Sequence, residues 1–362
     1  MGHYVIVMAH RLFFTPMKRP TLILLATITS ASMFGLSPLE REVKTIYEDA
    51  VFRGVQPESL IDRVNAIPTD SIENFTDSIR YSYHYMKAGV MDIQGINNEE
   101  KIAHIDAALQ LREKSIGIKD SEYLELIWAK GSDIQEKDPA QAMRMYQKGV
   151  VVGQSMIAEN LPAVDYWYGK LLDELGSLYE DRGYTQQAIS LYREGFQLTS
   201  RNYSEDDASS WLPLYRLEYL YYKQGQYEEA VSVCDEILGY LESHQAQQTK
   251  HYADVINVKN DVMAGMAVKL NDNGVQYLLS GDGESALPLL NKAKGIFESL
   301  KLESTPVYAT TLHNIGRANM LCENYPEAKS YLEQAKALQI KVEGQVFERT
   351  QQYLDEVNAS IK

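Results

Sequence analysis

The chain has 362 residues, is 45% hydrophobic and 10% aromatic, and carries a formal charge of −15 from 35 basic and 50 acidic side chains. That apolar content excludes a disordered chain, and the acidic excess with no clustered Lys/Arg stripe argues against nucleic-acid binding. The two cysteines, Cys234 and Cys322, form no Cys-x-x-Cys or Cys/His spacing and exclude both a disulfide framework and a structural zinc site.

In chain order, Met17-Lys18-Arg19 precedes an apolar run that starts at Leu22 and ends in small residues near Ser32. A basic stretch, a short apolar core and small residues make a secretory leader, so residues 1–35 are expected to be a signal peptide, with Met17 as an alternative start. The run is about 13 residues long, short for a membrane span. An uncleaved anchor that enlists residues 4–8 and 12–14 is the other reading. Export without disulfides points to a bacterial periplasm, and no membrane span is expected once the leader is removed.

Downstream, Ser37-Pro38 opens a helix to about residue 52, a short helix ends near Asn65, and a turn at residues 67–70 leads into one long amphipathic helix over about 71–91. Residues 95–98, 117–120 and 137–139 read as turns or helix starts. The polar stretch 199–210 reads as a surface loop, and 247–279 as one very long helix or a kinked pair. Strand patterns are absent, so the fold class expected is all-α.

A helix-pair pattern repeats along the chain. It is sharpest where Thr311-Leu312-His313-Asn314-Ile315-Gly316 is followed by Tyr325-Pro326-Glu327-Ala328, Leu332 and Ala335. Small residues at such spacing let two antiparallel helices cross closely, with large apolar residues filling the gaps. The same frame fits Gly176, Ala188, Tyr192 and Gly195, and again Glu218, Ala230 and Cys234. At these residues the chain resembles the tetratricopeptide repeat family, in the longer-helix variety of kinesin light chains.

Anchors at Gly89, Lys130, Gly176, Glu218, Gly274 and Gly316 are 41, 46, 42, 56 and 42 residues apart, against about 34 in the standard repeat. The resemblance implies a right-handed superhelical solenoid of five to six antiparallel hairpins. Residues 36–120 would form a degenerate helical region, 121–345 the repeats and 346–362 a capping helix. Lys130 and Glu218, departing from glycine or alanine at the anchor, predict looser crossings there.

No nucleophile–base pair, phosphate loop or metal-ligand cluster stands out, so no catalytic residue, cofactor or metal is expected. His244 and His251 lack a third ligand, and Gly281-Asp282-Gly283-Glu284 reads as a turn between helices rather than a calcium loop. The resemblance implies instead a non-enzymatic scaffold that takes a protein or peptide partner in a concave groove lined by first helices. Carried over by position, the groove residues are Tyr215, Tyr219, Tyr222, Asn271, His313, Asn314 and Arg317. The tyrosines would supply apolar area and the amides would bond a peptide backbone, unless the tyrosine stripe packs against the neighbouring repeat. An input segment of a bacterial membrane-bound regulator is the alternative. The end at Lys362, with no apolar span behind it, implies that such a regulator would be truncated or split.

Overall fold

The computed structural model describes residues 35–53, 55–96, 99–161, 164–202 and 212–361. Every regular element among them is helical, and the chain divides into two compact units at Pro213/Leu214. The leader expected over residues 1–35 and most of the loop expected over 199–210 lie outside the described residues.

In the first unit α1 (Pro38–Val51), α2 (Ile61–Asn65) and two 3₁₀ turns precede three hairpins. These pair α3 (Asp77–Ile93) with α4 (Glu99–Leu111), α5 (Ser121–Ile134) with α6 (Pro139–Ala158), and α7 (Asp165–Asp181) with α8 (Thr185–Thr199). A capping box starts α1: Ser37 Oγ accepts from the Glu40 N–H at 3.2 Å, and Glu40 Oε2 accepts from the Ser37 N–H at 2.9 Å. Its apolar face, Val43, Ile46 and Ala50, packs with Ile79, Tyr83 and Met86 of α3.

The helix expected over 71–91 is broken. Residues Thr69–Asn74 form a 3₁₀ turn, Phe75 is extended (φ −82°, ψ 160°), and α3 starts at Asp77. Ile72 is buried in the core under α1 and half-buried Phe75 packs against it, and this packing outweighs the local helical period.

Polar ties join the hairpins of this unit. Both oxygens of Glu122 in α5 accept tyrosine hydroxyls at 2.5 Å, from Tyr47 of α1 and Tyr81 of α3. Buried Lys101 of α4 lies 2.6 Å from Asp92 and 3.1 Å from Asp133, so its charge is matched inside the stack. His84 of α3 and His104 of α4 meet Nδ1 to Nδ1 at 2.8 Å.

The second unit holds all but the first two residues of α9 (Leu212–Lys223), then α10 (Tyr227–Ser243), α11 (Lys250–Leu279), α12 (Gly283–Ser299), α13 (Pro306–Leu321), α14 (Tyr325–Glu343) and α15 (Glu348–Ser360). The segment read as one long helix or a kinked pair is a single helix of 30 residues. Its first half buries Val255 and Val262, and its second half buries Ala267, Gly274 and Leu278.

Close crossings recur where the spacing places them. A Cβ on Gly176 would come within 2.7 Å of the Tyr192 ring, on Gly274 within 2.7 Å of Leu290, and on Gly316 within 2.6 Å of Leu332. The crossing expected to be loose at Lys130 is instead tight and falls one residue later: Gly131 lies under Tyr146, and an added Cβ would collide with that ring. The turn in this hairpin is one residue shorter, while Lys130 points to Asp106. Turns between paired helices use positive φ at Gly183 (78°), Gly225 (72°) and Gly281 (80°), and the equivalent turn before α14 holds Glu323 at 59°.

Candidate functional site

The seven residues expected to line a groove all lie in the second unit, on α9, α11 and α13. Tyr215 is half-buried, and burial reinforced by the Asp254 charge holds its hydroxyl well above the usual phenol range. Tyr219 is 50% exposed, with the Lys223 Nζ 5.2 Å from its ring centroid. Tyr222 packs edge-on against Tyr227 at 5.7 Å and lies over α11 at Gly265, where a Cβ would stand 3.3 Å from its ring.

Asn271 and Asn314 are both buried, and Asn314 Nδ2 donates to Asn271 Oδ1 at 3.1 Å. This single hydrogen bond joins α11 to α13. His313 Nδ1 lies 2.8 Å from Thr350 Oγ1 of α15, and its ring leans on Tyr353 at 5.5 Å. Burial first, then the charges of Arg317 and Arg349, depress the imidazole from its usual 6.5 to about 4. Arg317 Nη2 donates to the Leu278 carbonyl at 3.1 Å, and its guanidinium carbon stands 5.9 Å from the Tyr353 ring centroid.

These contacts fix which way each helix faces. On α11, Gly265 looks to Tyr222 of α9 and Tyr227 of α10, and Asn271 looks to α13. At 100° per residue, Val268, Asp272 and Leu279 fall in the open sector between them. On α13, Asn314 looks to α11 and His313 to α15, and Arg317 and Leu321 fall between. Tyr219 holds the matching sector of α9. Exposure agrees: Val268 is 40%, Leu279 65% and Leu321 42% exposed. Leu279 and Leu321 were missed because each sits one residue beyond the position carried over from the repeat. Thr350, Gln339 and Tyr353 gave no local signal, since they act on residues far away in sequence.

No group of three or more His, Cys, Asp or Glu side chains among the described residues is placed to hold a metal ion. The cysteines are free thiols; burial first, then the Glu218 charge, pushes buried Cys234 up to about 12, which makes it a poor nucleophile. No helix among the described residues is long and apolar enough to cross a membrane.

Consecutive antiparallel helix pairs, crossing at glycines, define an all-α helix-hairpin repeat protein. Models of the tetratricopeptide repeat match residues 171–195, 214–246 and 309–347, so these are tetratricopeptide repeats. Among solved structures the chain is similar to the nearly identical TPR-like repeats of a kinesin light chain homologue from Podosopora anserina, with 18% identity, 61% of this chain and 96% of that one covered, and a TM-score of 0.28. BtubC from P. vanneervenii is 16% identical, with 85% and 94% covered and a TM-score of 0.27. The apo form of the quorum sensor NprR from B. thuringiensis is 13% identical, with 94% and 96% covered and a TM-score of 0.43. No curated protein matches the chain.

Proposed function

We propose that this chain is an exported, non-enzymatic scaffold that holds a protein or peptide partner on the concave face of its second unit. The observation that carries the reading is the row of exposed apolar side chains on successive first helices: Tyr219 on α9, Val268 and Leu279 on α11, Leu321 on α13. Apolar groups exposed singly are ordinary, but a row on one open face, with Arg317 among them, has the make-up of an interaction surface. Because Asn271 and Asn314 are buried and joined to each other, the partner is held by ring and aliphatic area and by the guanidinium, not by an amide ladder. Export rests on the basic, apolar and small-residue order of the leader, and the periplasm on export without disulfides.

Affinity capture from the native host tests the binding reading, with residues 37–362 as bait beside the variant Tyr219→Ser/Leu279→Ser. Both positions are exposed, so helicity and melting temperature should be unchanged. A partner kept by the wild type and lost by the folded variant supports the reading. Equal retention by both baits would move the interface off this face and sink it.

A further inference from the structure

We infer that α15 is an acid-releasable cap, held on α13 and α14 by a directional hydrogen-bond chain that a protonated His313 breaks. The direction of the chain follows from its far end. The Phe347 N–H donates to Gln339 Oε1 at 3.1 Å, which turns the other end of that amide towards Thr350. Gln339 Nε2 then donates to Thr350 Oγ1 at 3.1 Å. Having accepted, the hydroxyl has one proton to give, and it lies 2.8 Å from His313 Nδ1. Among the described residues Thr350 Oγ1 has no other acceptor, so its proton goes to Nδ1 and the seated His313 is the neutral tautomer with its proton on Nε2.

Adding a proton at Nδ1 turns an acceptor into a donor. The Thr350 oxygen would accept twice, and its own hydrogen would lose its partner where both Thr350 and Gln339 are fully buried. No negative charge bears on the new cation. The charges bearing on His313 are Arg317 from its own helix and Arg349 from α15, both cationic. Among the described residues α14 presents the neutral Gln339 amide, and α15 adds the Tyr353 phenol ring and Thr350.

The seated imidazole stays neutral down to about 4, whereas a released one takes up a proton at its ordinary 6.5. Between those values each fall in pH favours release, by roughly tenfold or more from pH 7 to pH 5. Release uncovers Ala328 and Leu332, which with Leu354 and Val357 form the small core beneath the cap.

Amide hydrogen exchange on the full chain at pH 7 and pH 5, corrected for intrinsic rates, measures the opening of residues 348–360. In the wild type that opening should rise roughly tenfold or more while α12 is unchanged, and in His313→Gln it should rise less than about threefold. An equal rise in both proteins would assign the effect to carboxylates and overturn the inference, as would no rise in the wild type. Should the variant fail to seat α15, the His313 proton resonances of the wild type still decide. A midpoint below about 5 supports the inference, and one within about half a unit of 6.5 overturns it.

Discussion

Glu218 stands where four other hairpins have glycine, and the residue facing it is smaller than its counterparts. Tyr146, Tyr192, Leu290 and Leu332 close over Gly131, Gly176, Gly274 and Gly316, whereas Cys234 faces Glu218. The exchange keeps the crossing filled but leaves a carboxyl 6% exposed, and burial pushes it from its usual 4.5 up to about 7. Because the folded state holds this proton more tightly, its contribution is complete below pH 4.5 and is lost as pH rises through about 7. Glu218→Gln should therefore stabilise the protein more at pH 8 than at pH 5, by about 1–2 kcal/mol, read from urea unfolding followed by circular dichroism. Equal gains at the two pH values would show that the carboxyl is already charged or solvated at neutrality.

This residue also marks what the sequence makes legible. Gly176, Gly274 and Gly316 announce their crossings because only a missing side chain lets backbones approach so closely. The Glu218–Cys234 pair uses neither residue type of the other crossings, so the spacing locates this hairpin without a glycine to announce it. Gly131 misled for another reason: a turn one residue shorter shifts the anchor, and Lys130 at the nominal position hides its neighbour. Tyr219 and Arg317 could be placed on the open face by position alone, whereas the pairing of Asn271 with Asn314 depends on how neighbouring hairpins stack, which no local pattern encodes.

At the scale of elements, the contact between α3 and α4 depends on protonation as well as packing. The 2.8 Å separation of His84 and His104 requires one ring nitrogen to donate and the other to accept. Burial first, then the His104 and Arg80 charges, lowers His84 from 6.5 to about 4, and burial with Lys87 lowers His104. Both imidazoles are thus less basic folded than unfolded, so their stabilisation is full above pH 6.5 and lost as pH falls towards 4. The tryptophans Trp128 and Trp167 lie in the same unit and report its unfolding by emission. The wild-type midpoint in urea should fall between pH 7 and pH 5, and the fall should be clearly smaller in His84→Leu/His104→Leu. Identical falls would assign the acid sensitivity elsewhere.

For the molecule as a whole, the absence of strand patterns correctly limits the fold to helices, and the repeat spacing carries most of the order of elements. The amino-terminal helices were harder to read, because Ile72 and Phe75 fit a helical period yet are drawn into the core beneath α1. The length of α11 has a consequence for how the second unit comes apart. Repeat proteins with one short helix pair per repeat can fray from an end, since each pair borrows stability only from its neighbours. Here one helix of 30 residues, about 45 Å long, packs on α10 through its first half and on α12 through its second. Neither hairpin can be lost without stripping half of a helix that the other still uses. The unit is a beam and not a chain of links: apart from the α15 cap, α10 and α12 should exchange their slowest amides at the same free energy. Separate plateaus for the two helices would show that α11 can be severed at its middle.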